Sequence, residues 1–412
     1  MKKIFFVPLL FLSLPLAAYA EPAQDSDITV GNHGVSFISQ DKNYALSLRG
    51  TIQIDSRNFI NDKNGTGDND VLARRIRPVL EGRAGNASFR FMPDLADKKI
   101  RVFDAHADYT IEDALKIRIG KFKPPVGLER LQSAADTFFI ERGYANNLAP
   151  SRDLGVMLYG NDAENRWEYQ LGIFDGNQDL GNTNNDVDDK KDVIARVFLY
   201  PFKSAANDYI KELGVGLAGS YGKREGNLES TILSSYRSAG QQRFFRYQTG
   251  SYADGEHWRL YPQAYWYHKN MGVMAEYALS NQAVSRNTDS GELQQHAWNI
   301  SAGYVLTGEE EHYRGGIKPK ANFYPTAGDW GAWELVARIG QMTIDDNSFN
   351  RFADGNLSAR QATGYAAGVN WYWNENIKLA VNYELTQFNG GASAGNDRPN
   401  EQALFARTQL RF

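Results

Sequence analysis

The segment IKLAVNYEL, from Ile377 to Leu385, alternates apolar and polar side chains over its whole length. Successive side chains of a β-strand point to opposite faces, so this period of two predicts a strand with one apolar and one polar face. The apolar face consists of Ile377, Leu379, Val381, Tyr383 and Leu385, and the polar face includes Lys378, Asn382 and Glu384. Alternation alone leaves open whether the apolar face points to a soluble core or to lipid.

Three features of the sequence favour lipid. Similar segments, such as residues 298–306 and 333–339, carry Trp or Tyr near the ends of their apolar faces, as in the aromatic girdles of membrane barrels. Tight turns at residues 268–270 and 374–376 alternate with much longer loops, which is the arrangement of bacterial outer-membrane barrels. The chain also ends in LFARTQLRF, with the terminal Phe412 on the apolar face. A soluble all-β fold is the alternative.

The number of alternating segments predicts the size of the barrel. About sixteen of them begin near residues 43, 71, 86, 100, 114, 153, 166, 192, 211, 256, 271, 294, 331, 364, 377 and 402. We therefore expect an all-β fold, a 16-stranded antiparallel transmembrane β-barrel, whose width leaves an aqueous channel. The barrel must close, because no backbone amide can stay unpaired in lipid.

The N-terminus MKKIFFVPLLFLSLPLAAYA has the pattern of a signal peptide, with two lysines, an apolar run and the small-x-small motif Ala18-Tyr19-Ala20. An uncleaved anchor is the alternative, but the apolar run is short for a span of roughly 20 residues. We expect residues 1–20 to be removed and residues 21–412 to form the barrel domain in the outer membrane. The chain has no cysteine, so neither disulfides nor thiolate metal sites are available.

The stretch ARRIRPVLEGR, residues 73–83, places four arginines in a predicted strand of a chain whose net charge is -4. Its alternation directs Arg75 and Arg77 into the lumen and leaves Arg74 out of phase. Because a lipid-facing Arg costs roughly 2–4 kcal/mol at the bilayer midplane, we expect Arg74 at the strand's end or at a local irregularity. Arginines that line a constriction select anions through charge-assisted hydrogen bonds. The alternative is that they pair with wall carboxylates and brace the lumen.

Residues 120–153, after the fifth predicted strand, abandon alternation and are long enough to fold back into the barrel. We expect this segment to be an inward-folded third loop that narrows the pore. Its cationic side chains are Lys121, Lys123, Arg130, Arg142 and Arg152. Further basic side chains lie in a later loop, at Arg237, Arg243 and Arg246, and in a long connection at residues 307–330, at Arg314 and Lys318.

From about Asp41 to its C-terminus the sequence resembles the phosphate-selective porin family, porins O and P. The resemblance is densest in ARRIRPVLEG, FDAHADY, GKFKPPVGLERLQSA, FIERG, GAWELVARI and GVNWYWNENIKLAVNYE. It implies a homotrimeric outer-membrane porin for passive diffusion of phosphate or polyphosphate. It also implies an anion-binding constriction at Arg74, Arg75, Asp104, Arg130 and Arg142. The resemblance adds Arg237, Arg243 and Arg246 as pore-lining residues, beside those that alternation and the loops predict, which are Arg77, Lys121, Lys123, Arg314 and Lys318.

One departure from the family pattern bears on specificity, because Ala135 stands where members of the family have a second lysine in the third loop. A general or organic-anion porin without a specific phosphate site is therefore the alternative function. The expected partners are inorganic phosphate or other small anions, outer-membrane lipid and lipopolysaccharide, and further copies of the chain, but no nucleic acid. An enzyme is disfavoured, since no Gly-x-Ser-x-Gly motif occurs, and we expect no catalytic residue, metal or cofactor.

Overall fold

The alternating segments form a closed antiparallel barrel in the computed structural model of the protein. The structure describes residues 26–31, 34–60, 67, 69–96, 100–182, 188–349 and 351–412. The predicted signal peptide, residues 1–20, and its cleavage site lie outside the described residues.

Sixteen strands form the barrel wall in the described part of the chain. They are β1 (Tyr44–Phe59), β2 (Asp70–Ala84), β3 (Ala87–Asp94), β4 (Arg101–Glu112), β5 (Leu115–Phe122), β6 (Asp153–Asn161), β7 (Trp167–Phe174), β8 (Asp192–Leu199), β9 (Gly214–Glu225), β10 (Ser251–His268), β11 (Met271–Arg286), β12 (Asp289–Val305), β13 (Ala332–Thr343), β14 (Ala359–Tyr372), β15 (Ile377–Gly390) and β16 (Glu401–Arg411). Each pairs with its sequence neighbours, and β16 pairs with β1 to close the barrel. The predicted fold class is therefore confirmed.

Smaller elements accompany the barrel. An N-terminal hairpin, Ser26–Gly31 and Gly34–Ser39, pairs with the first part of β1, and a short ribbon joins Tyr236–Arg237 to Arg243–Phe245. The one-turn helix α1 spans Leu128–Leu131, and 3₁₀ turns occur at Tyr144–Leu148, Pro325–Ala327, Asp346–Ser348 and Ser393–Gly395. No helix in the described ranges has the length and hydrophobicity needed to cross a bilayer.

The apolar faces of the strands point outward and the polar faces point inward. In β8, Val193 and Val197 are about half exposed, whereas Asp192 and Arg196 on the opposite face are buried. In β15 Val381 and Tyr383 of the apolar face are exposed, and the polar face predicted from the sequence is buried. A soluble barrel would show the reverse order, so this pattern is that of a barrel whose outer surface contacts lipid.

The last residue of the chain completes the closure. Gly50 and Phe412 exchange two backbone hydrogen bonds, of 2.7 and 3.1 Å. The Phe412 ring lies directly over Gly50, where an added Cβ would meet the ring carbon Cζ at 2.5 Å. Beyond this point the hairpin strand Gly34–Ser39 continues the pairing with β1. Gly50 is therefore needed for the terminal ring to seat.

Strand alternation divides the connections between two ends of the barrel, which we call the turn end and the loop end. The turn end has tight connections such as residues 269–270, between β10 and β11. It also has the connection between β12 and β13, residues 306–331, which we call the β12–β13 connection. The long connection expected from the sequence at this end is thus a feature of the fold.

Replacing Gly50 with Val should destabilise the closed barrel. The new side chain would displace the Phe412 ring, and overpacking of this kind costs typically 1–3 kcal/mol. The measurement is the temperature at which the folded barrel loses its compact mobility on an SDS gel, which should fall for the variant. Gly31→Val is the matched control, because an added Cβ at Gly31 meets nothing within 4 Å. Equal transitions for the two variants would contradict the role given to Gly50.

Candidate functional site: a cation-rich lumen

A β-bulge brings two consecutive arginines to the same side of β2. In the pairing with β1, Gln53 lies opposite Arg75 and Ile54 lies opposite Ala73, so Arg74 is an extra residue without a partner. A bulge bends the strand and redirects a side chain that alternation would send to the other face. The irregularity expected at Arg74 is this bulge, and it spares the side chain from lipid.

The two arginines then contact different parts of the molecule. Arg74 forms a two-pronged ion pair with Glu141, with distances of 2.8 and 3.2 Å. Arg57 donates to the same carboxylate at 3.1 Å. Arg75 instead donates to the side-chain oxygen of Gln53 at 2.7 Å, and its Nε has no hydrogen-bond partner.

A cavity of about 860 Å³ lies along the inner faces of the first seven strands. Within the described residues, nine cationic side chains line it against four carboxylates, although the chain as a whole is acidic. The cations are Arg75, Arg77, Arg83, Arg90, Lys116, Arg118, Lys123, Arg152 and Arg314, and the carboxylates are Glu81, Asp104, Asp108 and Glu168. The charge along this part of the lumen is therefore positive, although the net charge of the chain is negative.

Part of this wall is braced by ion pairs. Asp104 accepts from Arg90 at 3.2 Å and from Arg152 at 3.1 Å. Asp108 accepts from Arg118 at 2.7 Å. For these arginines the bracing interpretation is correct, because each cation has a carboxylate that offsets its charge.

Arg75 and Lys123 are the cations of the cavity wall that differ most clearly from the braced ones. Lys123 donates only to backbone, to the carbonyl oxygens of Leu131 and Gln132 at 3.1 and 2.7 Å. No carboxylate lies within ion-pair distance of Arg75 or Lys123 among the residues that the structure describes. Burial, together with Arg152 and Arg142, holds the pKa of Lys123 well below its usual value. Neither side chain has a carboxylate partner, so the protein does not neutralise the positive charge that each carries when it is protonated.

Residues 123–152 contact polar side chains of strands β11 to β15. The Leu128 amide donates to Glu276 at 2.7 Å, and the Ile140 amide donates to Asn382 at 2.8 Å. The Ala145 amide donates to Asn299 at 3.2 Å. These partners belong to the strand faces opposite the exposed apolar ones. The segment is therefore fixed by hydrogen bonds along much of its length.

Arg130 and Arg142 lie within this segment and point to its own backbone. Arg142 donates to the carbonyl oxygens of Glu129 and Gln132 at 2.9 and 3.0 Å. Arg130 donates to the carbonyl oxygen of Asn146 at 3.3 Å, and its Nε is unpartnered. Burial, followed by the repulsion of Arg142 and Arg152, lowers the pKa of Arg130. Both guanidinium groups therefore form a second row behind the cavity wall.

The residues predicted from the sequence lie in different parts of the structure. Those that line the large cavity are Arg75, Arg77, Asp104, Lys123 and Arg314. Arg142 and Arg237 border a second, much smaller cavity. Lys318 borders a surface cavity at the turn end, where it pairs with Glu375 at 2.6 Å. The predicted residues that line none of these cavities are Arg74, Lys121, Arg130, Arg243 and Arg246.

Arg152 and Glu141 are among the residues of the site that the predicted set lacked. Arg152 lines the cavity and binds Asp104, and its place in the basic segment after β5 was the available signal. Glu141 forms ion pairs with Arg74 and with Arg57, so its single negative charge offsets part of their combined positive charge. Burial alone would raise the pKa of Glu141, but Arg74, Arg75 and Arg407 outweigh it and hold that pKa well below its usual value. The motif FIERG places this carboxylate beside Arg142, which was the only hint in the sequence.

Comparison with known protein families matches residues 46–412 to phosphate-selective porin O and P. The chain belongs to this family. Porin O of Pseudomonas aeruginosa is 23% identical, with 92% of each chain covered. Membership in this porin family makes the protein a channel of the bacterial outer membrane that conducts anions, and not an enzyme, as predicted from the sequence.

Solved porin structures share the fold at low sequence identity. The outer-membrane channel DcaP of Acinetobacter baumannii superposes with a TM-score of 0.59 at 11% identity, covering 91% of this chain and 99% of the other. The anion-selective porin from Comamonas acidovorans gives 0.56 at 11% identity, covering 90% and 100%. The trimer form of OmpT from Vibrio cholerae gives 0.55 at 8% identity, covering 90% and 99%. Identities this low establish likeness of fold alone.

Replacing Glu141 with Gln should make this porin more anion-selective. The change removes the charge that offsets Arg74 and Arg57. A unit charge changes the energy of an ion about 4 Å away by about 1 kcal/mol in bulk water and by about 4 kcal/mol at an effective dielectric near 20. The permeability ratio of chloride to potassium, taken from reversal potentials in a KCl gradient, should rise. Glu229→Gln, an equal change of charge in an exposed loop, serves as the control. An unchanged ratio in Glu141→Gln would contradict the assigned role.

Proposed function

We propose that the protein is a passive outer-membrane channel that prefers phosphate or polyphosphate among anions, and that Arg75, Lys123 and Arg152 bind the anion beside Asp104. The single observation that carries the proposal is the pair of uncompensated cations, Arg75 and Lys123, on the wall of one cavity. Membership in the phosphate-selective family supports phosphate as the anion. No energy source is required, because the channel conducts down a gradient.

The chemistry of these groups suits an oxyanion. A guanidinium group presents several N–H donors in one plane, and an ammonium group presents three, so both can replace part of the anion's hydration shell. Asp104 is held in place by Arg90 and Arg152, and its carboxylate oxygens can accept further hydrogen bonds. A protonated phosphate can donate a hydrogen bond to that carboxylate, whereas chloride cannot. The site therefore distinguishes anions by their protons as well as by their charge.

The strength of such a site fits conduction. A unit charge pair about 4 Å apart is worth about 4 kcal/mol at an effective dielectric near 20, before the cost of desolvation. A conducting pore needs binding strong enough for entry and weak enough for release. The bracing carboxylates Asp104 and Asp108 keep the total attraction within that range.

The third-loop segment, residues 123–152, is the proposed constriction. It supplies Lys123 and Arg152 to the cavity wall, and its residues Ser133, Ala134 and Ala135 border the same cavity. Arg130 and Arg142, predicted as constriction residues, would act from behind the wall as a second row of positive charge, whereas the charge of Arg74, also predicted there, is offset by Glu141. Their repulsion of Lys123 and of one another raises the local potential without direct contact with the ion.

We further propose that the signal peptide, residues 1–20, is cleaved and that residues 21–412 assemble as a homotrimer. OmpT of Vibrio cholerae was solved in a trimer form with the same fold. The exposed apolar faces of the strands fit contact with outer-membrane lipid and lipopolysaccharide.

A general or organic-anion porin is the second candidate function, and Ala135 is the observation that favours it. This residue borders the cavity where the family pattern has a lysine, so the site holds one cation fewer. Such a porin would attract every small anion through the same positive lumen but would show no saturable phosphate site. Phosphate block of chloride current separates the two.

Millimolar phosphate should reduce the chloride current of the wild-type channel, and Arg75→Gln should weaken this block. A lost charge-assisted hydrogen bond costs roughly 1.5–3 kcal/mol, which corresponds to at least a tenfold rise in the blocking concentration. The measurement is a phosphate titration on single channels in planar bilayers. Arg166→Gln is the control, since Arg166 lies in an exposed turn and pairs with Asp162 and Glu164. A wild-type current unaffected by phosphate would leave the general porin as the correct function.

Anion selectivity should fall as pH rises, and Lys123 should be responsible. A lowered pKa means that the ammonium is charged below that pKa and loses its charge as pH rises through it, at a lower pH than the value of about 10.4 for a free lysine. Reversal potentials in a KCl gradient, measured over a pH range that ends at about 10.4, should therefore shift toward weaker anion selectivity below that value. In Lys123→Arg the shift should be absent, because arginine keeps its charge throughout this range. The same shift in both proteins would assign it to another group.

A further inference from the structure

Two buried carboxyl groups lie side by side where the β12–β13 connection meets the barrel wall. Glu311 belongs to the connection and Glu334 to β13, and their carboxyl groups are within hydrogen-bonding reach of each other. Glu311 is 7% exposed and Glu334 is 1% exposed. We call these two groups the carboxyl pair. Burial deprives them of the water that would stabilise two neighbouring negative charges.

Two glycines of the wall make room for the carboxyl pair. Gly272 of β11 and Gly303 of β12 lie directly opposite each other in the sheet. An added Cβ at Gly272 would meet the Glu311 Cγ at 2.9 Å, and one at Gly303 would clash with the Glu334 Oε1. Directly opposed positions of an antiparallel pair are about 4.5–5.5 Å apart, so this flat patch seats the two carboxyl groups next to each other.

Each carboxyl group has one oxygen atom with a donor and one without. The Glu334 Oε2 accepts from the Asn370 side chain and from the Tyr372 hydroxyl, both at 2.9 Å. The Glu311 Oε1 accepts from the backbone amide of His312 at 3.1 Å. The Glu334 Oε1 and the Glu311 Oε2 are buried, and no donor among the described residues reaches them. One proton between these two atoms would satisfy both, because a protonated carboxyl group donates and a carboxylate accepts.

The groups around the carboxyl pair do not neutralise it. The cation that faces it, Lys378 of β15, donates to the carbonyl oxygen of Thr137 at 3.1 Å and forms no ion pair with either carboxyl group in the described part of the chain. Burial, followed by the negative charge of Glu334, raises the pKa of Glu311 to about 9. The other titratable groups that surround the pair and its neighbours are Tyr267, Tyr313, Tyr372, Glu129, Asp136 and Arg407.

We propose that Glu311 and Glu334 form a proton-binding site, in which one shared proton fixes the β12–β13 connection to the barrel wall and thereby supports the third-loop segment. The support passes through Tyr313, which follows Glu311 by two residues. The Tyr313 hydroxyl donates to the carbonyl oxygen of Leu128 at 2.7 Å, and the Tyr313 carbonyl accepts from the Gln132 side chain at 2.8 Å. The inference goes beyond the proposed function, because the carboxyl pair lies outside the large cavity and acts whichever anion is conducted.

The attachment of the connection should weaken as pH rises. When the connection is released, Glu311 enters water and regains a pKa of about 4.3. In the attached state its pKa is about 9, so that state binds the proton more tightly. The advantage of the attached state is therefore complete below about pH 4.3 and falls as pH rises toward about 9. Between these limits the released state should gain about tenfold in population for each pH unit, because release gives up one proton.

The test is hydrogen exchange of backbone amides in the detergent-solubilised channel between about pH 6 and pH 8, corrected for the intrinsic effect of pH on exchange. The amide of residue 311 donates to the carbonyl oxygen of Lys269 at 2.7 Å and measures release of the connection. The Leu131 amide donates to the carbonyl oxygen of Gly127 at 3.2 Å and measures loosening of the third-loop segment. In the wild type the opening of both should increase about tenfold per pH unit.

Three variants separate the shared proton from a general structural effect. In Glu311→Gln and in Glu334→Gln an amide group replaces the proton as donor, so opening should stay low and should not depend on pH. Glu310→Gln is the control, because Glu310 is the neighbouring carboxylate but is largely exposed, and it should keep the wild-type pH dependence. The infrared difference between the wild type and Glu311→Gln should show the band of a protonated carboxyl group, which fades as pH rises.

Two results would overturn the proposal. One is a wild-type channel in which the opening at residue 311 does not change with pH. The other is a pH dependence that is the same in Glu311→Gln, Glu334→Gln and Glu310→Gln. A response confined to residue 311, with none at Leu131, would refute the support of the third-loop segment. None of these measurements uses phosphate block, so the result is independent of the proposed anion site.

Discussion

A strand in lipid cannot leave its backbone groups unpaired, and every other feature of this protein follows from that constraint. The sheet must close, so β16 returns to β1 and the last residue seats its ring on Gly50. Closure fixes which face of each strand contacts lipid, and alternation then sends the remaining side chains inward. Charged residues that would be costly outside are concentrated in the lumen, where water and their mutual pairing stabilise them. This sorting concentrates charge in the lumen, and the excess of cationic side chains on the cavity wall makes that charge positive.

Alternation was sufficient to predict the barrel because a period of two survives in nearly every strand. The predicted strand starts lie within five residues of the observed ones, and one of the largest differences has a physical cause. In β10 the register shifts between Ala253 and His257, and Gly255 adopts a left-handed φ of 131°. The bulge interrupts the alternation there, so the pattern becomes visible only after it, near residue 256, although pairing begins at Ser251.

The candidate site was predictable only where it belongs to strands. Alternation placed Arg75 and Arg77 in the lumen correctly, and the break in phase at Arg74 marked the bulge. Residues 123–152 have no periodicity, so nothing in the sequence could show that Arg130 and Arg142 turn toward their own backbone. Glu141 illustrates the same limit, because its pairing with Arg74 joins residues 67 positions apart through a loop path that only the fold defines.

The central claim is that the inward faces of this barrel form a lumen whose positive charge selects anions. The reversal potential of the purified wild-type channel across a KCl gradient tests it most directly, because its sign reports which ion is preferred. The cationic side chains of the lumen wall outnumber its carboxylates, so the account predicts a reversal potential with the sign of a chloride-selective pore. A potential of the opposite sign, with potassium preferred, would contradict the account at its foundation.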